Sequence, residues 1–395
     1  MKPKTSLSPL KIAEYRPVMP YTLNSPANWP EMDPGIWSRM PAEILEHILS
    51  FLPLKTFLNL RSTCKHFRSL VFSPSFIAKH SSSSPSTPSS FSFLLLAHPQ
   101  FMHRFFLYDC NLGTWRSLAL TISLLVPRDV TAAHLPCCTL LSSSNGLLCF
   151  SLPSSSSFLV CNSLAKSSRV IATPCYPFSF ESLTFVSTPC GYKIFVLCCM
   201  STSISAFVYD SKIHSWQRFD GFGPNLSDSH HQEGVYFKGL LYFTTPEPIS
   251  VVSFDLESGR LGRANTDLPG EITFARLVTD GESKLYLIGG IGRNGISRAM
   301  KLWELGDRGN WMEIQTVPEM MCKKFMSVCY YNYERMYCFW HQGMICLCCY
   351  TWPEILYYKV SRRTWHWLPR CSSLPEKWSC GFRFFSFVPE LYALV

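Results

Sequence analysis

The chain has 395 residues, 47% of them hydrophobic and 14% aromatic against 16% charged, with a formal net charge of +9. That balance excludes a disordered chain and leaves room for one large domain or two. No stretch reaches the eighteen apolar residues of a membrane span, and the positive charge is too dispersed to leave a nucleic-acid footprint.

Residues 1–32 are rich in proline and lack periodicity, and they read as a mobile tail. The first twenty, MKPKTSLSPLKIAEYRPVMP, have no continuous apolar core and so do not form a secretory signal. The expected compartment is the cytoplasm and/or the nucleus. There the eighteen cysteines stay reduced. Cys137-Cys138, Cys198-Cys199 and Cys346-x-Cys348-Cys349 lack the paired spacing of a zinc site. Most of the cysteines lie in aromatic, β-rich runs, where a thiol serves as a small hydrophobe.

Residues 36–80 are the helical part of the chain. Pro41 suits a first turn and Glu43 the positive end of a helix dipole. Ile44, Leu45, Ile48, Leu49 and Leu52 recur at helical spacing until Pro53 stops the run. Phe57, Leu58 and Leu60 predict a second helix. Cys64, Phe67 and Val71 predict a third, capped by Ser62 or Thr63. Three short helices cannot bury all these side chains against one another, so the surplus either meets a partner or packs on the domain that follows.

The stretch WSRMPAEILEHILSFLPLKTFLNLRSTCKHFRSL closely resembles the F-box over about 40 residues. The opening Met-Pro, the mid-motif Leu-Pro and the closing C-K-x-F carry the match, and Met40 replaces the commoner leucine, a volume-conserving swap. The resemblance implies that Pro41, Ile44, Leu45, Ile48, Leu52, Pro53 and Leu58 dock on the Skp-type adaptor of a cullin–RING ubiquitin ligase. The domain expected from it spans 33–80, and the Ser/Pro run SSSSPSTPSS (81–90) is a spacer.

From residue 91 the chain is β-like and repetitive. FLYDCNLGTW (106–115) and FVYDSKIHSW (207–216) align without a gap, and VCNSLAKSS, SFDLESGRL, KLWELGDRGNW and LYYKVSRRTW fit the same frame. The polar position falls at Asp109, Asn162, Asp210, Asp255, Glu304 and Lys359, at intervals matching the period of kelch blades. An upstream strand precedes each later unit: GLLCFSL, YKIFVLCCM, GLLYFTT, KLYLIGG and RMYCFWH. In KLYLIGGIGRNGIS (284–297), Gly290, Gly292 and Gly295 spell G-x-G-x-x-G with Glu313 about twenty residues on. That dinucleotide fingerprint needs a following helix, whereas the repeat makes ISRAMKLWEL the third strand of a blade and Trp311 the start of the fourth. The double glycine resembles that of a kelch repeat. The expected fold is therefore an all-β kelch-type propeller over 91–395, with about six four-stranded blades, behind a small three-helix F-box domain. The first unit lacks an inner strand, and FRFFSFV (382–388) is expected to supply it and close the ring.

No G-x-S-x-G, H-E-x-x-H or phosphate loop is present. Some kelch-like propellers are copper oxidases, which supplies the enzyme-class alternative. The whole chain resembles the plant F-box/kelch-repeat proteins. The implied role is the substrate-recognition subunit of an SCF-type ubiquitin ligase, non-catalytic and without cofactor or metal. Its implied partners are the adaptor, through it cullin and RING subunits, and an unknown target protein, with neither membrane nor nucleic acid. A non-degradative adaptor is the other binding-protein alternative. Recognition is expected on loops: VPRDVTAAH (126–134) and DGFGPNLSDSHHQEG (220–234), read as joining one blade to the next, and GIGRNGIS (290–297) and HQGM (341–344), read as joining second and third strands within a blade. Arg128, His230, His231, Arg293 and His341 would then ring one face, suited to an acidic or phosphorylated segment.

Overall fold

The computed structural model describes residues 35, 39–60, 63–70, 72–83, 92–101, 104–119 and 138–395, the last with short gaps at 153–155, 176–177, 189, 201–202, 223–231, 264–265, 282 and 375–378. The predicted tail (1–32), most of the spacer, the 126–134 loop, Arg128, His230 and His231 fall outside these residues.

Six four-stranded antiparallel sheets form the blades of a propeller. Blade two runs from Thr139 to Ala172, blade three from Ser182 to Phe222 and blade four from Val235 to Arg263. Blade five runs from Ile272 to Thr316 and blade six from Met336 to Trp367. In blade one the strand Arg383–Phe387 pairs antiparallel with Phe93–Ala97, inside Arg104–Asp109 and Thr114–Ala119. The chain therefore closes on itself, and an inner edge that would otherwise be open is covered.

Each repeated feature has a local cause. Asp109 Oδ1 accepts the N–H groups of Asn111 and Leu112, and Asn162 Oδ1 those of Leu164 and Ala165. Asp210 and Asp255 do the same for Lys212 and Glu257. A short polar side chain is needed there to hold the turn between third and fourth strands. In blades one and three the tryptophan near the start of the fourth strand ties blade to blade: Trp115 Nε1 donates to Pro369 O at 2.7 Å and Trp216 Nε1 to Ala172 O at 2.8 Å.

The glycine-rich stretch is a β-hairpin. Leu285–Arg293 and Ile296–Leu305 pair as second and third strands, with Trp311–Thr316 as the fourth. Asn294 and Gly295 both take positive φ, as a tight two-residue hairpin requires. A Cβ on Gly290 would collide with Ser297 Oγ, so this glycine serves close packing. Glu313, in the fingerprint's acidic position, is ion-paired to Lys301 at 2.8 Å. The segment cannot cradle a dinucleotide.

Five expectations need correction. In blade six RMYCFWH contains the first strand, Met336–His341, and the cysteine-rich Met344–Cys349 is the second. A helix, Glu319–Val328, interrupts the β region before blade six, burying Cys322, Phe325 and Met326. Among the described residues the helical head has four helices where three were expected: α1 (Ala42–Ser50), α2 (Leu54–Leu60), α3 (Lys65–Leu70) and α4 (Pro74–Ser83). Its last helix runs three residues into the predicted spacer. Cys64 Sγ, not Thr63, accepts the Phe67 N–H at the start of α3, and Ser62 lies outside the described residues.

Candidate functional site

Two surfaces carry chemistry: the helical head and the mouth of the central channel. In the head, Leu49, Phe57, Leu70 and Phe76 form a core with Leu391 of the C-terminal segment. Leu164, Ala165 and Tyr392 of the propeller pack around it. His80 bonds Leu52 O at 2.8 Å and lies 5.5 Å, ring to ring, from Tyr392. The surplus of apolar residues therefore divides. Leu45, Leu52 and Leu58 turn inward to this shared core, while Pro41, Ile44, Ile48 and Pro53 stay outside. Ile44 remains 52% exposed, Ile48 38% and Phe51 59%, an apolar strip on a helix whose opposite face is already committed.

Of the five residues expected to ring one face, the two that are described, Arg293 and His341, do not come together. Arg293 sits at the turn between second and third strands of blade five, exposed, with its guanidinium 3.0 Å from the Glu271 carboxylate. His341 sits at the turn between first and second strands of blade six, where chain reversal places it on the opposite side of the ring. It is also fully buried. Its ring nitrogens reach Cys110 Sγ at 3.4 Å and Ser386 Oγ at 2.9 Å, and burial pushes its imidazole down to about 4. A neutral, enclosed imidazole cannot meet an acidic target. The positions of Arg128, His230 and His231 lie outside the described residues.

The loop 220–234 also behaves differently from the expectation. Its first three residues finish the strand Ser215–Phe222, and its last three enter the channel. Cys338 N donates to Gln232 Oε1 at 2.9 Å, Ser142 Oγ to Glu233 Oε2 at 2.6 Å, and Gly234 N to Thr184 Oγ1 at 2.8 Å. Three consecutive residues thus tie blades six, two and three together. Beyond them a cavity of ≈ 330 Å³ is lined by the inner strands of all six blades. Glu233 and Arg383 are its charged groups, and Phe185, Tyr236, Trp340 and Phe385 contribute its aromatic walls. Burial pushes the Glu233 carboxyl up to about 7, against the pull of Ser142 and Arg383. Neither residue carried a signal in the sequence: one acidic residue ending a polar loop reads as solvated.

Residues 37–79 match the family model of the F-box domain, and residues 99–368 that of the F-box associated beta propeller domain. An F-box/kelch-repeat protein of Arabidopsis thaliana is 53% identical over 95% of this chain and 92% of its own. The chain belongs to the F-box/kelch-repeat family. More distant relatives of this F-box/kelch-repeat protein keep the same span. F-box only protein 6 of Arabidopsis thaliana is 26% identical over 86% of this chain and 71% of its own. The protein UNUSUAL FLORAL ORGANS of the same plant is 22% identical over 88% and 81%.

Proposed function

We propose that this F-box/kelch-repeat protein is the substrate receptor of an SCF-type ubiquitin ligase. The head docks on a Skp-type adaptor, and through it on cullin and RING subunits, while the propeller presents a target protein. The observation that carries this reading is the division of α1. Leu45 and Leu49 are spent on the head core, so Ile44 and Ile48, flanked by Pro41 and Pro53, form a free apolar strip. Burying two half-exposed isoleucines against a partner is worth roughly 1–2 kcal/mol each. Leu45, Leu52 and Leu58 support that strip from behind.

The receptor's contribution to the reaction is proximity. Holding a target lysine beside a charged conjugating enzyme raises its effective concentration, and the transfer chemistry belongs to other subunits. The packing of the head on the propeller supports this division of labour. Leu391 and Tyr392 sit in the head core only a few residues after the strand that closes the ring, so the head's placement follows from ring closure.

Reconstitution tests it. Purified full-length protein should form a stoichiometric complex with a Skp-type adaptor, cullin and RING subunit on size-exclusion chromatography. Failure of adaptor capture by a folded chain would remove the reading.

A further inference from the structure

The central cavity goes beyond the ligase reading and does not depend on it. It is built from the inner strands of every blade, so its shape is fixed by the ring. Gln232, Glu233 and Gly234 line it and bond to the inner strands of blades six, two and three. The cavity extends from there along the ends of the inner strands that lead into the turns between first and second strands. A volume of ≈ 330 Å³ lies within the range of small-molecule pockets.

The charge balance inside decides the ligand class. Arg383 Nη2 donates to Leu141 O at 3.0 Å, and its guanidinium lies 5.1 Å from the Phe385 ring centroid. Among the described residues it makes no ion pair. A planar five-donor guanidinium keeps N–H groups free after one such bond. Arg383 is also held in place: Tyr337, at the inner strand of blade six, donates its hydroxyl to Phe382 O and accepts from Phe384 N at 2.8 Å. Ser143 Oγ is buried and has no partner among the described residues. The one carboxyl in the lining, Glu233, already accepts from Ser142 and is driven toward its uncharged form by burial. The cavity therefore carries a fixed positive charge, a spare hydroxyl and aromatic walls.

We propose that the channel cavity binds a small organic carboxylate with an aromatic or cyclic apolar body, its carboxylate taken by Arg383 and Ser143. One guanidinium matches one planar carboxylate, whereas a phosphate dianion would call for more than a single cation among apolar walls. The groups that face Glu233 are Ser142, Arg383 and Cys149. The Cys149 thiol is held protonated by burial and Arg383 stays charged, so Glu233 is the group that titrates near neutrality. Its ionisation places a second negative charge in the cavity and weakens carboxylate binding as pH rises above about 7.

Calorimetry on the purified full chain, with phenylacetate, phenylacetamide and phenethylamine as probes, tests this. At pH 6 phenylacetate should bind saturably, with a Kd of about 1 mM or tighter, and the amide about tenfold more weakly. The amine should show no saturation. Arg383→Gln should abolish phenylacetate binding. Because Arg383 lies on the closing strand, Glu233→Gln gives an independent reading: at pH 8 it should bind phenylacetate about as tightly as wild type does at pH 6. The proposal is overturned if wild type shows no saturable phenylacetate binding, or if the amine binds better than the acid. Unchanged affinity in a folded Arg383→Gln, or a pH dependence retained in Glu233→Gln, also overturns it.

Discussion

His341 Nδ1 and Ser386 Oγ share a hydrogen bond of 2.9 Å across the seam between blade six and the strand that closes blade one. The other ring nitrogen faces Cys110 of blade one at 3.4 Å. One neutral imidazole thereby bridges blade six and blade one, beside the bonds that Tyr337 and Trp115 make across the same seam. Its position at a tight turn gave it the look of a surface ligand, and the closure of the ring is what buries it.

This burial makes the seam acid-labile. The folded state holds the His341 imidazole down at about 4, while in an unfolded chain it titrates near 6.5. Lowering the pH below 6.5 therefore favours unfolding, because the unfolded chain takes up the proton first. By pH 5 the loss from this group is about 2 kcal/mol. Urea unfolding at pH 7.5 and pH 5 should show wild type losing about that much more stability than His341→Gln. Parallel losses in the two proteins would mean that the imidazole is not held neutral.

Glu233 works with the opposite sign. Its folded carboxyl titrates at about 7 and an unfolded one near 4.5, so the folded state binds the proton more tightly. Its contribution is most favourable at low pH and is lost as pH rises through 7. Between pH 5 and pH 8 the wild-type chain should lose about 2.5 kcal/mol relative to Glu233→Gln, which keeps the Ser142 contact without the charge. The stability difference between the two proteins, followed across that range, reads this directly. A flat difference would place the carboxyl in solvent.

The residue pattern made the architecture legible because it recurs for a physical reason. Asp109, Asn162, Asp210 and Asp255 each hold a turn with a side-chain oxygen, and that device recurs in blades one to four. Unit five, with Glu304, needs an extra residue, and its turn is closed by Gly306 and Asn310 backbone instead. What stayed hidden depends on long-range packing. The helix Glu319–Val328 does carry Cys322, Phe325, Met326 and Cys329 at helical spacing, but within a β-rich chain a single such run is overridden by the surrounding pattern. Helix α4 carries a Ser73 cap and Pro74 at its first position, signals that pass for a turn when followed by a serine-rich spacer. The channel residues Gln232, Glu233 and Arg383 are brought together only by ring closure, so no local signal marked them.

Ring closure itself can be tested by deleting residues 382–395. That removes Phe384, Phe385, Phe387 and Leu391, all nearly inaccessible, from three separate apolar cores. At roughly 2–3 kcal/mol for each buried side chain the loss rivals the whole stability of a typical domain. The strand Phe93–Ala97 would also expose an unpaired edge. The truncated chain should aggregate, with no cooperative thermal transition by circular dichroism. A sharp transition near the wild-type temperature would show that another element closes blade one.

Neighbouring residues on α1 separate docking from folding. Ile48 is 38% exposed and points away from the head core, whereas Leu49 is 5% exposed and packs with Phe57, Leu70 and Phe76. Asp at position 48 remains solvated in the free protein, so Ile48→Asp should shift stability by about 0.5 kcal/mol or less. In a complex the same carboxylate would be buried without a partner, at a cost of several kcal/mol, enough to abolish adaptor capture. Leu49→Ala instead removes a core side chain and should destabilise the head by about 2–5 kcal/mol. Thermal unfolding and adaptor co-purification, measured together on both variants, should therefore give opposite pairs of results. The Ile48 variant melts normally and fails to bind. The Leu49 variant melts early, and any chain that remains folded still presents Ile44 and Ile48 to the adaptor. If Ile48→Asp captures the adaptor as well as wild type, the docking surface lies on another face of the head, and the exposure of Ile44 and Ile48 must be explained by a different partner.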